Sequence, residues 1–182
     1  MKSILPALAA SLALASPALA QSNPMVGGAA MFEDKNIVEN AVNSADHTTL
    51  VAAVQAAGLV ETLQSPGPFT VFAPVNAAFE ALPAGTVDTL LQPENKAGLT
   101  KVLTAHVVAG DLTGSEIVER ARAAGDGFFH MQTVSGDALS AQVKGNNLYI
   151  YDEMGNAAQV TIADVDQSNG VIHVVNGVLL PR

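Results

Sequence analysis

Four histidines, His47, His106, His130 and His173, are the residues of this 182-residue chain best suited to proton transfer or metal binding. Imidazole titrates closest to neutral pH and is also the commonest metal ligand. Their spacing argues against both uses. No two stand at i, i+4 or as a His-x-His ribbon, and no cysteine adds a soft ligand. Neither a metal nor a cofactor is expected. Nucleophilic catalysis lacks its parts too, because there is no G-x-S-x-G turn and no thiol. No catalytic residue is assigned, and the chain reads as non-enzymatic. Glu33-Asp34 and Asp152-Glu153 lack the D-x-D-x-D-G pattern of a calcium loop and read as solvated charge.

The surrounding elements decide where each histidine points. Leu99, Val102, Leu103 and His106 recur at i, i+3, i+4 and i+7, so a helix over about 94–107 turns His106 inward. A buried imidazole there is expected to hydrogen-bond backbone or a carboxyl. His173, flanked on its own strand face by Val171 and Val175, takes the same reading, whereas His47 and His130 fall at solvated element ends. Asp46 can cap a helix carrying Leu50, Val51 and Val54, with Gly58 in the left-handed position that ends it. A Pro/Gly-rich turn over 64–68 leads into a strand over 69–72. Asn76 then caps a short helix bearing Phe79 and Leu82, and a second short helix covers about 87–91. Thr113 and Glu116 have capping-box spacing ahead of Ile117, Val118 and Ala121.

After His130 the hydrophobic period drops to two. Leu139, Ala141 and Val143, then Leu148 and Ile150, then Val160 and Ile162 mark successive strands separated by Gly- and Asn-bearing turns. Tyr149 and Tyr151 alternate with the inward pair and project from the opposite face. With Phe128 and Phe129 they form a candidate partner surface. The stretch over 171–175 is apolar on both faces and reads as a central strand. Helices in the first half and strands in the second predict one α+β domain, a mostly antiparallel sheet covered by helices.

Residues 1–20 have the form of a secretory signal peptide: Lys2, an apolar run and the small-residue triplet Ala18-Leu19-Ala20. A Gly- and Ala-rich arm over 21–35 precedes a domain over 36–182, and no transmembrane segment is expected in the mature chain. Without cysteine there is neither lipid attachment nor a disulfide framework, so stability must come from the core. The formal charge of −9 becomes −10 when Lys2 is removed, leaving seven of the eight Lys and Arg. So acidic a surface repels phosphate backbones and excludes nucleic acid as a partner.

Two segments go beyond pattern. FTVFAPVNAAFEALP (69–83) and NGVIHVVNGVLLP (169–181), with LTAHVVAGDLT (103–113) between them, resemble the two signature blocks and the histidine-bearing linker of fasciclin (FAS1) domains, in order and spacing. The likeness runs from about 36 to 181. It implies the fasciclin fold, a compact β-sandwich or wedge wrapped by helices, and a role in adhesion or in matrix or partner binding outside the cytoplasm. It also implies partner-binding candidates: His106 of the linker, and Asp164 with Val165, where an Asp-Ile pair serves adhesion in animal members. Many fasciclin domains place Tyr before the linker histidine and Asp after the second-block His-Val pair, positions occupied here by Ala105 and Asn176. The tyrosine-histidine motif of integrin binding is therefore half present.

The expectation is a secreted or periplasmic bacterial module, monomeric, that binds a protein or polysaccharide surface through His106, Asp164, Val165, Tyr149 or Tyr151. The alternative is a small-molecule carrier with a pocket lined partly by His106 or Phe129.

Overall fold

The computed structural model describes residues 23–182, so the signal peptide read over 1–20 lies outside the described residues. The segment read as a loose arm contains a hairpin, β1 (Met25–Val26) with β2 (Ala29–Ala30). It is docked, since Val26 and Met31 are buried in the core. Helices α1 (Ile37–Ala41), α2 (Thr48–Ala57) and α3 (Val60–Gln64) follow. Gly58 ends α2 with φ of 72°, a left-handed conformation that glycine adopts without steric penalty.

Next come β3 (Phe69–Pro74), α4 (Asn76–Glu80), α5 (Thr86–Leu90) and α6 (Lys96–Thr104). Two expected caps are rearranged. Asp46 sits in a 3-10 turn and does not cap α2. Instead Asn76 Oδ1 accepts from the Thr49 amide at 3.0 Å, while its Nδ2 donates to the Ala45 carbonyl at 2.9 Å. Asn76 thus satisfies one first-turn amide of a neighbouring helix rather than those of its own.

The second half holds β4 (Val107–Ala109), α7 (Gly114–Ala123), β5 (Phe128–Gln132), β6 (Ala138–Lys144), β7 (Asn147–Tyr151), β8 (Ala157–Gln167) and β9 (Gly170–Val175). Thr113 and Glu116 form the capping box predicted for α7. Seven strands make one sheet in the order β4-β3-β9-β8-β7-β6-β5. Only β3 with β9 is parallel; the other pairings of this sheet are antiparallel. An antiparallel bridge from Val108 to Thr133 and a bond from the Val134 amide to the Val107 carbonyl (2.8 Å) bring the far edge back to β4. The sandwich expected from the resemblance is therefore one sheet curled nearly shut.

β8 makes the curl possible. Its first residues pair with β7 and its remainder with β9, and register shifts separate the β9-paired positions Val160, Ile162 and Val165. Bulges of this kind bend a strand and add twist.

β3 and β9 carry apolar side chains on both faces. Val71, Ala73, Ile172 and Val174 pack under α1, α2, α3 and α6, whereas Phe72 and Val175 join α7 and the inner faces of β5 to β8 in a second cluster. Strands buried on two sides read as unbroken apolar runs, as the sequence of β9 does.

Candidate functional site

The helix predicted over 94–107 stops at Thr104, and Ala105 closes it. His106 has therefore left the helix when it enters the core, only 3% exposed. Its Nδ1–H donates to the Val102 carbonyl at 2.8 Å, and its Nε2 accepts from the Leu179 amide at 2.9 Å. Both ring nitrogens are engaged, which sets a neutral tautomer. Burial pushes its pKa down to about 4, against smaller upward pulls from the Val102 carbonyl and Asp152.

Asp152 is not the solvated carboxylate expected. It is buried and accepts from the amides of Met154, Asn156 and Leu180 and from the Asn156 side chain, at 2.8–2.9 Å. Consecutive amides at 179 and 180 are thus held by His106 and Asp152, fixing the C-terminal segment on the core.

His173 is fully buried and stacks on Phe72, with ring centroids 5.6 Å apart. Its Nε2 donates to the Leu112 carbonyl at 2.8 Å, and its Nδ1 accepts from the Asp164 amide at 3.2 Å. Burial lowers its pKa, while the Leu112 carbonyl and nearby aspartates favour the charged form. Asp164 occupies the bulged stretch of β8 with φ of 57°, the left-handed region an Asp tolerates better than most residues. Its carboxylate accepts from the Gly114 amide at the first position of α7, 2.6 Å away. A Cβ at Gly114 would lie 3.1 Å from both Asp164 Oδ2 and the Ala163 Cβ, so these neighbours would have to give by a few tenths of an ångström. Val165 turns inward and is 1% exposed. Of the linker histidine and the Asp-Val pair, only Asp164 reaches the surface, and its carboxylate already serves α7.

The outer face of β5 to β8 is different. Cross-strand register puts Phe128, Gln142, Tyr149 and Gln159 in one row and His130, Ser140, Tyr151 and Ala157 in the next. Phe128 meets Tyr151 edge-on with centroids 5.8 Å apart, and Lys144 Nζ lies 5.8 Å and 5.2 Å from the centroids of Tyr149 and Tyr151. His130 is exposed and bonds Ser140 Oγ (2.8 Å) and Asp126 (3.1 Å). The Phe128 amide and then this imidazole hold the Asp126 carboxyl below its usual range. Phe129 does not join the patch. Strand alternation turns it inward against the second cluster, where Arg120 lies over its ring, 5.2 Å from the centroid.

His47 overturns its expected place at a solvated end: it is 3% exposed. Its Nδ1 meets Ser44 Oγ at 2.8 Å, whereas Nε2 is buried without a hydrogen-bond partner. The Ala73 carbonyl draws its pKa upward less than burial pushes it down, but forms no hydrogen bond of ordinary geometry with Nε2. The sequence does contain a signal for this burial. His47, Leu50, Val51 and Val54 stand at i, i+3, i+4 and i+7, on the stripe that faces the core. His47 and His106 both line a cavity of about 70 Å³ between the helices and the sheet. Phe129 has no part in it.

The two positions that depart from the fasciclin pattern are both accommodated. Ala105 is 2% exposed, and Asn176 ties β9 to β8, accepting from the Gln159 amide (2.8 Å) and donating its own amide to the Gln159 carbonyl (3.1 Å). Among the described residues no three His, Asp or Glu side chains are placed to hold a metal ion, and no helix is long and apolar enough to cross a membrane.

A curled, helix-wrapped sheet whose linker histidine braces the C-terminal segment defines an α+β module of fasciclin type. The fasciclin-domain family model matches residues 45–181, and the chain belongs to that family. It is 45% identical over 170 residues to protein sll1483 of Synechocystis sp., covering 93% of this chain and 87% of that one. It is 37% identical over 146 residues to the immunogenic protein MPB70 of Mycobacterium bovis, covering 78% and 66%. The fold matches that of a FAS1 domain pair from the insect cell adhesion molecule fasciclin I, with a TM-score of 0.71 and 17% identity over 80% of this chain and 51% of that one.

Proposed function

We propose that this chain is an exported, non-enzymatic binding module that attaches to a protein or polysaccharide surface through the outer face of β5 to β8. The observation that carries this reading is the contrast among the candidate residues: His106 and Val165 are used by the core, while Tyr149 and Tyr151 stay half-exposed beside Phe128 and Lys144. Aromatic rings held in place by neighbours offer contact area at little entropic cost, and Gln142, Gln159 and Ser140 surround them with hydrogen-bonding groups. The fold shared with an insect cell adhesion molecule supports an adhesive role. The test is a Tyr149→Ala, Tyr151→Ala double variant in a cell- or polysaccharide-attachment assay. At least tenfold weaker attachment by a normally folded variant is expected, and full retention would remove the proposal.

A second reading, a small-molecule carrier, is favoured by the cavity beside His47 and His106.

A further inference from the structure

An asparagine followed by glycine is open to spontaneous ring closure, because a glycine nitrogen with no Cβ beside it can approach the asparagine side chain. The chain holds two such pairs, Asn169-Gly170 and Asn176-Gly177. The fold treats them oppositely. Asn169 is buried, its Oδ1 accepts from the Ile37 amide at 3.1 Å, and its Nδ2 donates to the Leu63 and Ser65 carbonyls at 2.7 and 3.1 Å. Gly170 is held as well, paired with Gln167 on β8 and Phe69 on β3. Ring closure there would have to pull the amide away from three partners inside the core.

Asn176 is exposed, just past the end of β9. Its side chain makes a single hydrogen bond, in which Oδ1 accepts from the Gln159 amide at 2.8 Å. Among the described residues, Nδ2 has no partner and neither does the Gly177 amide. The bond that is present falls on the oxygen that gains negative charge when Cγ is attacked, and a donor in that position stabilises such an oxyanion. The nucleophilic nitrogen and the leaving amide are the groups left free. Packing favours glycine at 177, since a Cβ there would lie 3.1 Å from the Ala158 Cβ and 3.2 Å from the Ala157 carbonyl oxygen.

We propose that Asn176 is a site of spontaneous deamidation, through a succinimide formed with Gly177, and that Asn169 is protected by its burial. The Gly177 nitrogen bonds to Asn176 Cγ, the Cγ–Nδ2 bond breaks, and Nδ2 leaves as ammonia with the proton given up by the Gly177 amide. Water then opens the ring at one of its two carbonyls. Opening at Cγ gives aspartate, and opening at the main-chain carbonyl carbon gives isoaspartate, whose main chain runs through Cβ and Cγ. Either product carries one new negative charge. Gln159 shares a cross-strand row with Tyr149, Gln142 and Phe128, so that charge appears at the end of the row. Isoaspartate also lengthens the main chain just ahead of Leu179, whose amide His106 holds.

The experiment incubates the full protein at pH 8 and 37 °C and maps its peptides by mass spectrometry, in which each deamidation adds one mass unit; the same chain unfolded in guanidinium chloride is the reference. Conversion of the folded protein should be at least tenfold faster at Asn176 than at Asn169, and comparable at the two in the unfolded chain. Asn176→Gln should abolish the gain at this position, because a glutamine would have to close a larger ring; Asn176→Ser is the substitute if that variant fails to fold. Incubated wild-type protein should also unfold at lower denaturant than fresh protein, whereas incubated Asn176→Gln should match its fresh form. A folded Asn176 as resistant as Asn169 would overturn the proposal, as would equal conversion of the two in the folded protein or equal loss of stability by the incubated variant. None of these readouts involves a binding partner, so they stand or fall apart from the adhesive reading.

Discussion

One end of the sheet is packed on both faces, and the other on only one. β3 and β9 lie between the helical layer and the second cluster, and of the candidate residues on or beside them His47, His106, Val165 and His173 are buried, leaving only Asp164 exposed. β6 and β7 pack their inner faces in the second cluster with α7 and present Tyr149, Tyr151, Gln142 and Lys144 on the other side. The same residue types therefore do different work at the two ends. An imidazole in the doubly covered region becomes a hydrogen-bonded core group, whereas His130 on the open face keeps water and a carboxylate as neighbours.

The sharpest way to break this contrast is His106→Ala. It removes a buried ring and leaves the Val102 carbonyl and the Leu179 amide unpaired, so a stability loss of about 4 kcal/mol is expected in denaturant unfolding. His130→Ala should change stability by less than about 0.5 kcal/mol. Equal losses from the two would dissolve the distinction.

Acid should act next most strongly, through the buried histidines of the covered end. The folded pKa of His106, about 4, lies below the ordinary 6.5. Between those values the unfolded chain holds a proton that the native chain lacks, so stability falls as pH falls through the window. At 1.36 kcal/mol per unit, His106 by itself contributes about 3 kcal/mol. His173 and His47 are shifted in the same direction. Urea midpoints at pH 7, 5.5 and 4.5 should drop progressively, and the drop should shrink in His106→Ala. An unchanged pH slope in that variant would remove His106 as its source.

Asp152→Ala should cost about 2 kcal/mol, because it frees four donors, including the Leu180 amide. Its effect should be less than additive with His106→Ala, since the two side chains hold adjacent amides of the same segment. A fully additive double mutant would show that they act separately. A small stability change, under about 1 kcal/mol, is expected for Tyr149→Ala on the same open face as His130. A larger loss in thermal unfolding would mean that the open face is part of the core after all.

Much of the fold was legible because it follows from local rules. The capping box of Thr113 and Glu116, the left-handed Gly58, the alternation over β6 and β7 and the double-sided apolarity of β9 depend on neighbours within a few residues. The short β4 and the β1–β2 hairpin were not legible, because two- and three-residue strands carry too few positions to show a period. Asn76 was placed correctly as a capping residue but assigned to the wrong helix; its chemistry is local, and its partner, 27 residues away, is not.

The sequence by itself determined the family, the order of the elements and the lack of any metal-ligating or nucleophilic pattern, since each is written in residue type and spacing. The tertiary structure alone decided which histidines and carboxylates meet water. His47 shares its stripe with Leu50 and Val54, yet only the packing of α2 on β3 shows its Nε2 left without a partner. Asp152 sits in a hairpin turn like any solvated acid until Leu180, 28 residues on, brings it a donor. Burial is a property of the assembled sheet and helices, and a desolvated polar group is held by whatever the fold places beside it.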